Sequence, residues 1–307
     1  MLKVSLVIPI FNESGVIEQS HAKLAAVIDQ LPYEFSIYYV DDGSTDGTDA
    51  ALAALAAQDG RIQPLTLSRN FGHQAALTAG LDHADGEVVI SMDGDGQHPP
   101  EMLGQMIELV AQGYDIVQAQ RIESDQAFSF KKVTSTAFYS LINRISGTRV
   151  QPGAADFRAL SRQALEALKA MPEYHRFLRG MIAWIGYKSV ILPYHEPKRM
   201  AGKSKYSLGK MFRLASDAVF SFSLMPLYIG LSVGGLFLIL AAAQIAYVLV
   251  IAITKPANVY IAPGWSSLMA ILLIASGIIM ILLGFIGVYV GYIFQQVKGR
   301  PVYLLKK

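Results

Sequence analysis

The chain has 307 residues, 52% of them hydrophobic and 16% charged, with a net charge of +2 and no cysteine. The missing cysteines exclude disulfides and thiolate metal sites, and the apolar content exceeds that of an ordinary soluble domain. The charges are spread unevenly, with ordinary density over residues 1–217, none over 218–254 and none over 256–297.

In chain order, residues 1–10 lack the basic start, long apolar run and small-residue cleavage site of a secretory leader, and 4–8 read as a buried strand. Helical spacing follows over 15–30, a strand over 35–40, an alanine-rich helix over 48–57 and a strand over 62–67. The pattern continues with a helix over 73–83 and a strand over 87–92. Pro99 and Pro100 then open a helix, and 115–120 give a fifth strand. Such alternation predicts an α/β fold, a Rossmann-like, mostly parallel sheet with helices on both faces. Ligands of such sheets bind beyond the carboxyl ends of the strands.

Two further segments carry apolar residues at three- and four-residue steps beside basic ones. The first, 130–146, includes Phe130, Phe138, Leu141 and Ile145 with Lys131, Lys132 and Arg144; it suits a membrane surface or packing on the sheet equally well. The second, 206–223, adjoins the first charge-free stretch and reads as a juxtamembrane amphipathic helix. Residues 224–254 and 264–295 are each long enough to span a bilayer, and 296–307 form a basic tail. Lys198, Arg199, Lys203, Lys205, Lys210 and Arg213 precede the first span; Lys298, Arg300, Lys306 and Lys307 follow the second; only Lys255 lies between. The expected arrangement is therefore a membrane protein with a two-helix hairpin, the domain over 1–205 and both ends facing the cytoplasm. Gly230, Gly234 and Gly235 would permit close helix packing, which leaves a homo-oligomer open. No nucleic acid is expected as a partner.

Polar motifs fall at four successive strand ends. Pro9-Ile10-Phe11-Asn12-Glu13 closes the first strand, Asp41-Asp42-Gly43-Ser44-Thr45-Asp46 the second, and Arg69-Asn70-Phe71-Gly72 the third. Turn chemistry accounts for Gly43 and Ser44, and Asp46 suits a helix cap. Asp41 is different, because an acidic pair directly after a buried strand is costly without partners. Asp93-Gly94-Asp95-Gly96-Gln97 closes the fourth strand. Two carboxylates there can hold a hard cation whose remaining ligands are diphosphate oxygens and water. His73 and His98 read as capping or packing residues, Trp184 as a packing residue and Trp265 as an interface anchor.

Taken together, the four motifs resemble the inverting, nucleotide-diphospho-sugar glycosyltransferases of family 2, which share the GT-A fold; the resemblance covers residues 2 to about 213. The two-helix tail is further similar to the polyprenyl-phosphate glycosyltransferases, such as dolichol-phosphate mannose synthases and bactoprenol glucosyltransferases. This resemblance implies a nucleoside pocket lined by Pro9, Phe11, Glu13, Asp42 and Asp93, and a Mg²⁺ or Mn²⁺ ion held by Asp93, Asp95 and Gln97. It implies that Arg121, Lys131 and Ser135 face the acceptor phosphate, although the family often has arginine where this chain has Lys131. It further implies that Arg199, Lys203 and Lys205 belong to a basic loop over the diphosphate, and that Asp156 stands where the family places its catalytic carboxylate. The donor would be a UDP- or GDP-sugar, with UDP-glucose the first expectation, and the acceptor undecaprenyl or another polyprenyl phosphate. A processive polysaccharide synthase would be expected to show a Gln-x-x-Arg-Trp motif and more membrane helices. A silent nucleotide-sugar binder, or a transferase with another lipid or glycan acceptor, remains open at this point.

Overall fold

The computed structural model describes residues 1–122, 154–195, 225–254 and 264–306. Its chain divides into two units, Met1–Asp217 with Arg300–Lys307, and Ala218–Gly299.

The first unit is built on a seven-stranded sheet. Its strands are β1 (Lys3–Ile10), β2 (Glu34–Asp41), β3 (Ile62–Thr66), β4 (Val88–Ser91), β5 (Ile116–Arg121), β6 (Ala154–Ser161) and β7 (Ser189–Tyr194). They lie in the order β3-β2-β1-β4-β6-β5-β7. Between them run α1 (Ile17–Ile28), α2 (Thr48–Gln58), α3 (His73–His83), α4 (Leu103–Ala111), α5 (Arg162–Lys169) and α6 (Leu178–Trp184), with a short 3₁₀ turn at Pro100–Met102. The expected alternation is thus present, and the prolines stand at the entry to the 3₁₀ turn that precedes α4.

The central strands β1 and β4 are near-continuous apolar runs because helices cover both their faces. Val4, Leu6, Ile8, Ile37, Tyr39 and Ile90 form the middle of the main core. Five strand pairs matter for the site. β1 pairs in parallel with β2 and β4, and β2 with β3, while β6 runs antiparallel to both β4 and β5. The reversal of β6, absent from the sequence expectation, brings its first residues to the carboxyl ends of β1 to β5. Ser91 at the end of β4 pairs with Arg158, and Gln120 at the end of β5 pairs with Ala154.

Residues 303–306 close the outer edge of β3. Ser68 N–H donates to Leu304 O at 2.8 Å, Lys306 N–H donates to Thr66 O at 2.8 Å, and Leu305 bridges Leu67. Tyr303 packs on Val40, Leu67, Ala76 and Ala79 and donates to Asp82 at 3.2 Å. The stretch read from sequence as a basic tail is paired to the sheet.

The second unit consists of α7 (Met225–Thr254) and α8 (Trp265–Val297). Within α8, residues Ile274–Val297 are long and apolar enough to cross a membrane, with a mean hydropathy of 2.3. The segments expected as interfacial helices, 130–146 and 206–223, lie outside the described residues, as do Lys131, Ser135, Arg199, Lys203 and Lys205.

Candidate active site

The strand-end motifs are tied to one another in order across the sheet. Asn12 N–H donates to Ser44 Oγ at 2.8 Å, and Thr45 N–H returns a bond to Asn12 Oδ1 at 2.9 Å. Asn12 has φ of 53°, a left-handed geometry that asparagine tolerates. Asp46 accepts from Ser14 N–H and Oγ with one oxygen and from Thr48 N–H and Oγ1 with the other. Burial pushes its carboxyl up, but the hydrogen bonds from Thr48 and Ser14 together outweigh this and hold it at about 2. Gly47 occupies the helix cap position itself, so Asp46 caps α2 from one residue earlier.

The second motif is tied to the third by Asp42. Its oxygens accept from Phe71 N–H at 2.7 Å and from Gly72 N–H at 3.0 Å. Burial raises the Asp42 carboxyl, a shift that these two N–H donors counter only in part. Gly43 permits the approach: at φ 69°, an added Cβ would meet Arg69 C at 2.4 Å. Asp42 is thus engaged with the Arg69–Gly72 loop. Its neighbour Asp41 accepts from Ser44 N–H and Oγ through Oδ1, while Oδ2 is buried with no hydrogen-bond partner among the described residues.

The acidic turn follows β4. Asp93 N–H donates to His98 Nδ1 at 2.8 Å, which leaves the ring proton of neutral His98 on Nε2, 3.6 Å from Asp93 Oδ2. His98 is buried and stacks on Phe157, ring centroids 4.9 Å apart. Gln97 N–H donates to Asp95 Oδ1 at 3.1 Å. Gly94 is buried, and a Cβ there would meet Ile10 Cγ2 at 2.8 Å and Glu13 Oε2 at 3.1 Å, so the turn and the Glu13 motif share one tight space. Among the described residues no three acidic or histidine side chains converge as a self-sufficient metal cage. Asp93 and Asp95 offer two carboxylates on one turn, and Asp93 Oδ1 is buried without a hydrogen-bond partner among the described residues. That donor set fits a hard divalent ion that also takes oxygens from a diphosphate.

Asp156 lies at the amino end of β6, only 5% exposed. Arg158 Nη2 donates to its Oδ1 at 2.8 Å. Arg179, from α6, straddles it with Nε to Oδ1 and Nη2 to Oδ2, both at 3.0 Å. His73 Nε2 lies 3.2 Å from Oδ2 and 3.7 Å from Asp93 Oδ1. Burial alone would raise the Asp156 carboxyl, yet Arg179, His73 and Arg158 hold it well below the usual range. Burial lowers His73, but Asp156 and Asp93 outweigh that and lift it to about 9. Burial pushes Arg158 down to about 10 despite Asp156.

Of the sequence-predicted residues, Pro9, Phe11, Glu13, Asp42, Asp93, Asp95, Gln97 and Asp156 all lie at the carboxyl edge of the sheet. Arg121 ends β5 one residue beyond the Gln120–Ala154 pair. His73, read as a capping or packing residue, lies against Asp156 and Asp93, and Arg179, which the sequence did not single out, binds Asp156. His73 had one available signal, its place directly after the third motif at the start of α3. Arg179 had none, because α6 reaches Asp156 only through the tertiary fold. Trp184, read as a packing residue, is 63% exposed at the end of α6, because α6 buries Leu178, Met181 and Ile182 instead.

The pattern of glycosyl transferase family 2 matches residues 5–169, more than half the chain. The chain belongs to glycosyltransferase family 2. This family 2 chain is 35% identical to an uncharacterized glycosyltransferase of Bacillus subtilis over 306 residues, covering 100% of this chain and 94% of that one. It is 37% identical to a prophage-derived bactoprenol glucosyl transferase of Shigella flexneri over 310 residues, covering 100% and 98%. Mannosyl-3-phosphoglycerate synthase of Rubrobacter xylanophilus shares its fold, with a TM-score of 0.50 at 19% identity over 70% of this chain and 71% of that one. The GT-A architecture expected of the family 2 enzyme is therefore present.

Proposed function

We propose that this glycosyltransferase moves a sugar, glucose first, from a nucleoside diphosphate such as UDP to the phosphate of a polyprenyl phosphate at a membrane. The observation that carries the reading is the turn of Asp93 and Asp95, joined by His73 to the buried Asp156 at one sheet edge. Full-length similarity to a protein named bactoprenol glucosyl transferase supports the acceptor class, and the apolar α8 supports a membrane setting. In this reading α7 and α8 both cross the bilayer, and the basic flanks keep the catalytic unit on the cytoplasmic side.

Asp93 and Asp95, with Gln97 beside them, would hold Mg²⁺ or Mn²⁺. When bound there, such an ion would supply stabilisation of the negative charge on a departing nucleoside diphosphate. Pro9, Phe11 and Glu13 would border the nucleoside, and Asp42 would support the same pocket by fixing the Arg69–Gly72 loop. The buried Oδ2 of Asp41 is suited to accept from an N–H of the base. Arg121, Lys131, Ser135, Arg199, Lys203 and Lys205 would supply the positive field that two approaching phosphate anions need.

The acceptor is a phosphate monoester with a second pKa near ~6, so it reaches the sugar already deprotonated at neutral pH. A general base works best with a pKa near the operating pH. Asp156 sits far below that range and is bound to two guanidiniums. Its role in this reading is to hold charge in place.

The test is turnover of a panel of nucleotide-sugars with undecaprenyl phosphate and Mg²⁺ or Mn²⁺, with the lipid product identified by mass. The expected product is a polyprenyl-phosphate hexose, and Asp95→Asn should lower its formation at least about a hundredfold, since such an ion contributes several kcal/mol. Nucleotide binding without transfer to any acceptor by wild type would favour the silent binder.

A further inference from the structure

We propose that His98 is a positioning residue for the acidic turn: it holds residues 93–98 in the shape that presents Asp93, Asp95 and Gln97 to a divalent ion. The role deepens the proposed function and rests on its reading of those three residues.

Packing alone does not account for a histidine here. His98 is buried and lies nearly flat on Phe157, with Tyr194 edge-on at 6.1 Å. A phenylalanine would stack in the same way, and burying two ring nitrogens is costly unless they are used. The contacts described for both nitrogens go to a single residue, Asp93. Nδ1 accepts the Asp93 N–H at 2.8 Å, and an accepting nitrogen carries no proton, so the ring proton stands on Nε2. Nε2 in turn lies 3.6 Å from Asp93 Oδ2.

What that hydrogen bond encloses gives it a consequence. It closes a loop over Gly94, Asp95, Gly96 and Gln97. Inside the loop Gly96 has φ of 77°, and Gln97 N–H donates to Asp95 Oδ1 at 3.1 Å. The Asp93 carboxylate stands between two imidazoles, 3.6 Å from His98 and 3.7 Å from His73. Both distances exceed a hydrogen bond, so the rings flank the carboxylate without taking up the lone pairs that an ion needs. Its Oδ1 is buried with no hydrogen-bond partner among the described residues. His98 is not itself a ligand in this arrangement, since Nδ1 is engaged by the Asp93 N–H and Nε2 holds the proton; it acts through Asp93. The ring is anchored on Phe157, the residue after Asp156, so one strand, β6, steadies both the turn and the buried carboxylate.

The test is Mn²⁺ binding by full-length protein in detergent with UDP present, read as loss of the free-ion electron paramagnetic resonance signal. His98→Phe keeps a ring against Phe157 and removes both nitrogens. It should weaken Mn²⁺ binding about tenfold or more, the usual scale for a group that orients a metal ligand. His98→Gln, an independent variant should His98→Phe not fold, carries its amide one bond farther out and should weaken binding at least about fivefold. His98→Asn places its amide oxygen as many bonds from Cα as Nδ1, and should recover binding to within about threefold of wild type. Ile28→Ala, which opens space in the core at the opposite end of α1 from Glu13, should leave Mn²⁺ binding within about twofold. Unchanged binding in folded His98→Phe or His98→Gln, His98→Asn as weak as His98→Phe, or an equal loss in Ile28→Ala would each overturn the inference. Wild type that binds no Mn²⁺ with UDP removes the metal reading of the turn and the inference with it. If the folded variants bind Mn²⁺ normally and wild type transfers sugar, the positioning role falls and the function stands. If they lose Mn²⁺ as expected while wild type transfers sugar to no acceptor, the function falls and the positioning role stands.

Discussion

The two units of the molecule place the same kinds of side chain in opposite positions. In the catalytic unit, Leu6, Val89, Ile90 and Phe157 are buried, and the buried charged residues Asp41, Asp42, Asp156 and Arg158 lie at the carboxyl edge of the sheet. In the helical unit, Ile239, Ile253 and Met280 are 68%, 81% and 70% exposed, and no charge interrupts residues 256–297. The first pattern is stable in water because apolar area leaves it on folding. The second has its apolar surface outside, and its helices meet the hydrogen-bonding needs of their backbone internally, as a hydrocarbon environment requires. Apolar side chains are thus buried in one unit and exposed in the other.

Substitutions in matched positions test that contrast. Phe157→Ala should destabilise the catalytic unit by about 3–5 kcal/mol, because Phe157 is fully buried and stacks on His98; thermal denaturation of the detergent-solubilised protein reads it. Ile90→Ala should cost about 2–5 kcal/mol in the same assay, whereas Ile281→Ala, at an exposed position of α8, should leave the melting temperature nearly unchanged. Equal losses at the two isoleucines would erase the distinction. Ile281→Arg should disfavour insertion of α8 by about 2.5–3.5 kcal/mol, seen as protein lost from the membrane fraction after an alkaline wash, with the catalytic unit still folded.

Smaller effects sharpen the picture within the catalytic unit. Gly43→Ala should cost roughly 1–3 kcal/mol, because φ is positive and the Arg69 backbone fills the space of the methyl. Asp46→Ala should cost about 1 kcal/mol as a lost cap. Its carboxyl is held at about 2, below the ordinary 3.8. The stability it lends is therefore whole above about pH 4 and lost as pH falls toward 2. The gap between wild type and Asp46→Ala should close over that interval in a pH series of melting curves.

Much of this fold was legible from local pattern. Residues 73–83 were bounded by Gly72 and the apolar spacing of the helix, and β1 to β5 by runs bracketed with turn residues. The reversal of β6 was not legible, since its direction is decided by pairing with β4, far away in sequence, and nothing in residues 154–161 encodes that partner. The site divides the same way. Motifs at successive strand ends announced Glu13, Asp42 and Asp93, because strand ends in a parallel sheet converge by construction. Arg179 is brought in by packing of α6, and a lone arginine in a short helix carries no local mark of its partner.

The pairing of residues 303–306 with β3 bears on how the catalytic unit can be isolated. Its sequence is discontinuous, because Arg300–Lys307 belong with Met1–Asp217. A protein cut after residue 217 would lose the partner of Ser68 N–H and Thr66 O, uncover the hydrophobic patch beneath Tyr303, and expose a sheet edge open to pairing with other chains. A water-soluble version is better made by excision, joining Asp217 to Arg300 through a flexible linker in place of residues 218–299. Material truncated at 217 should aggregate where the joined version stays monodisperse.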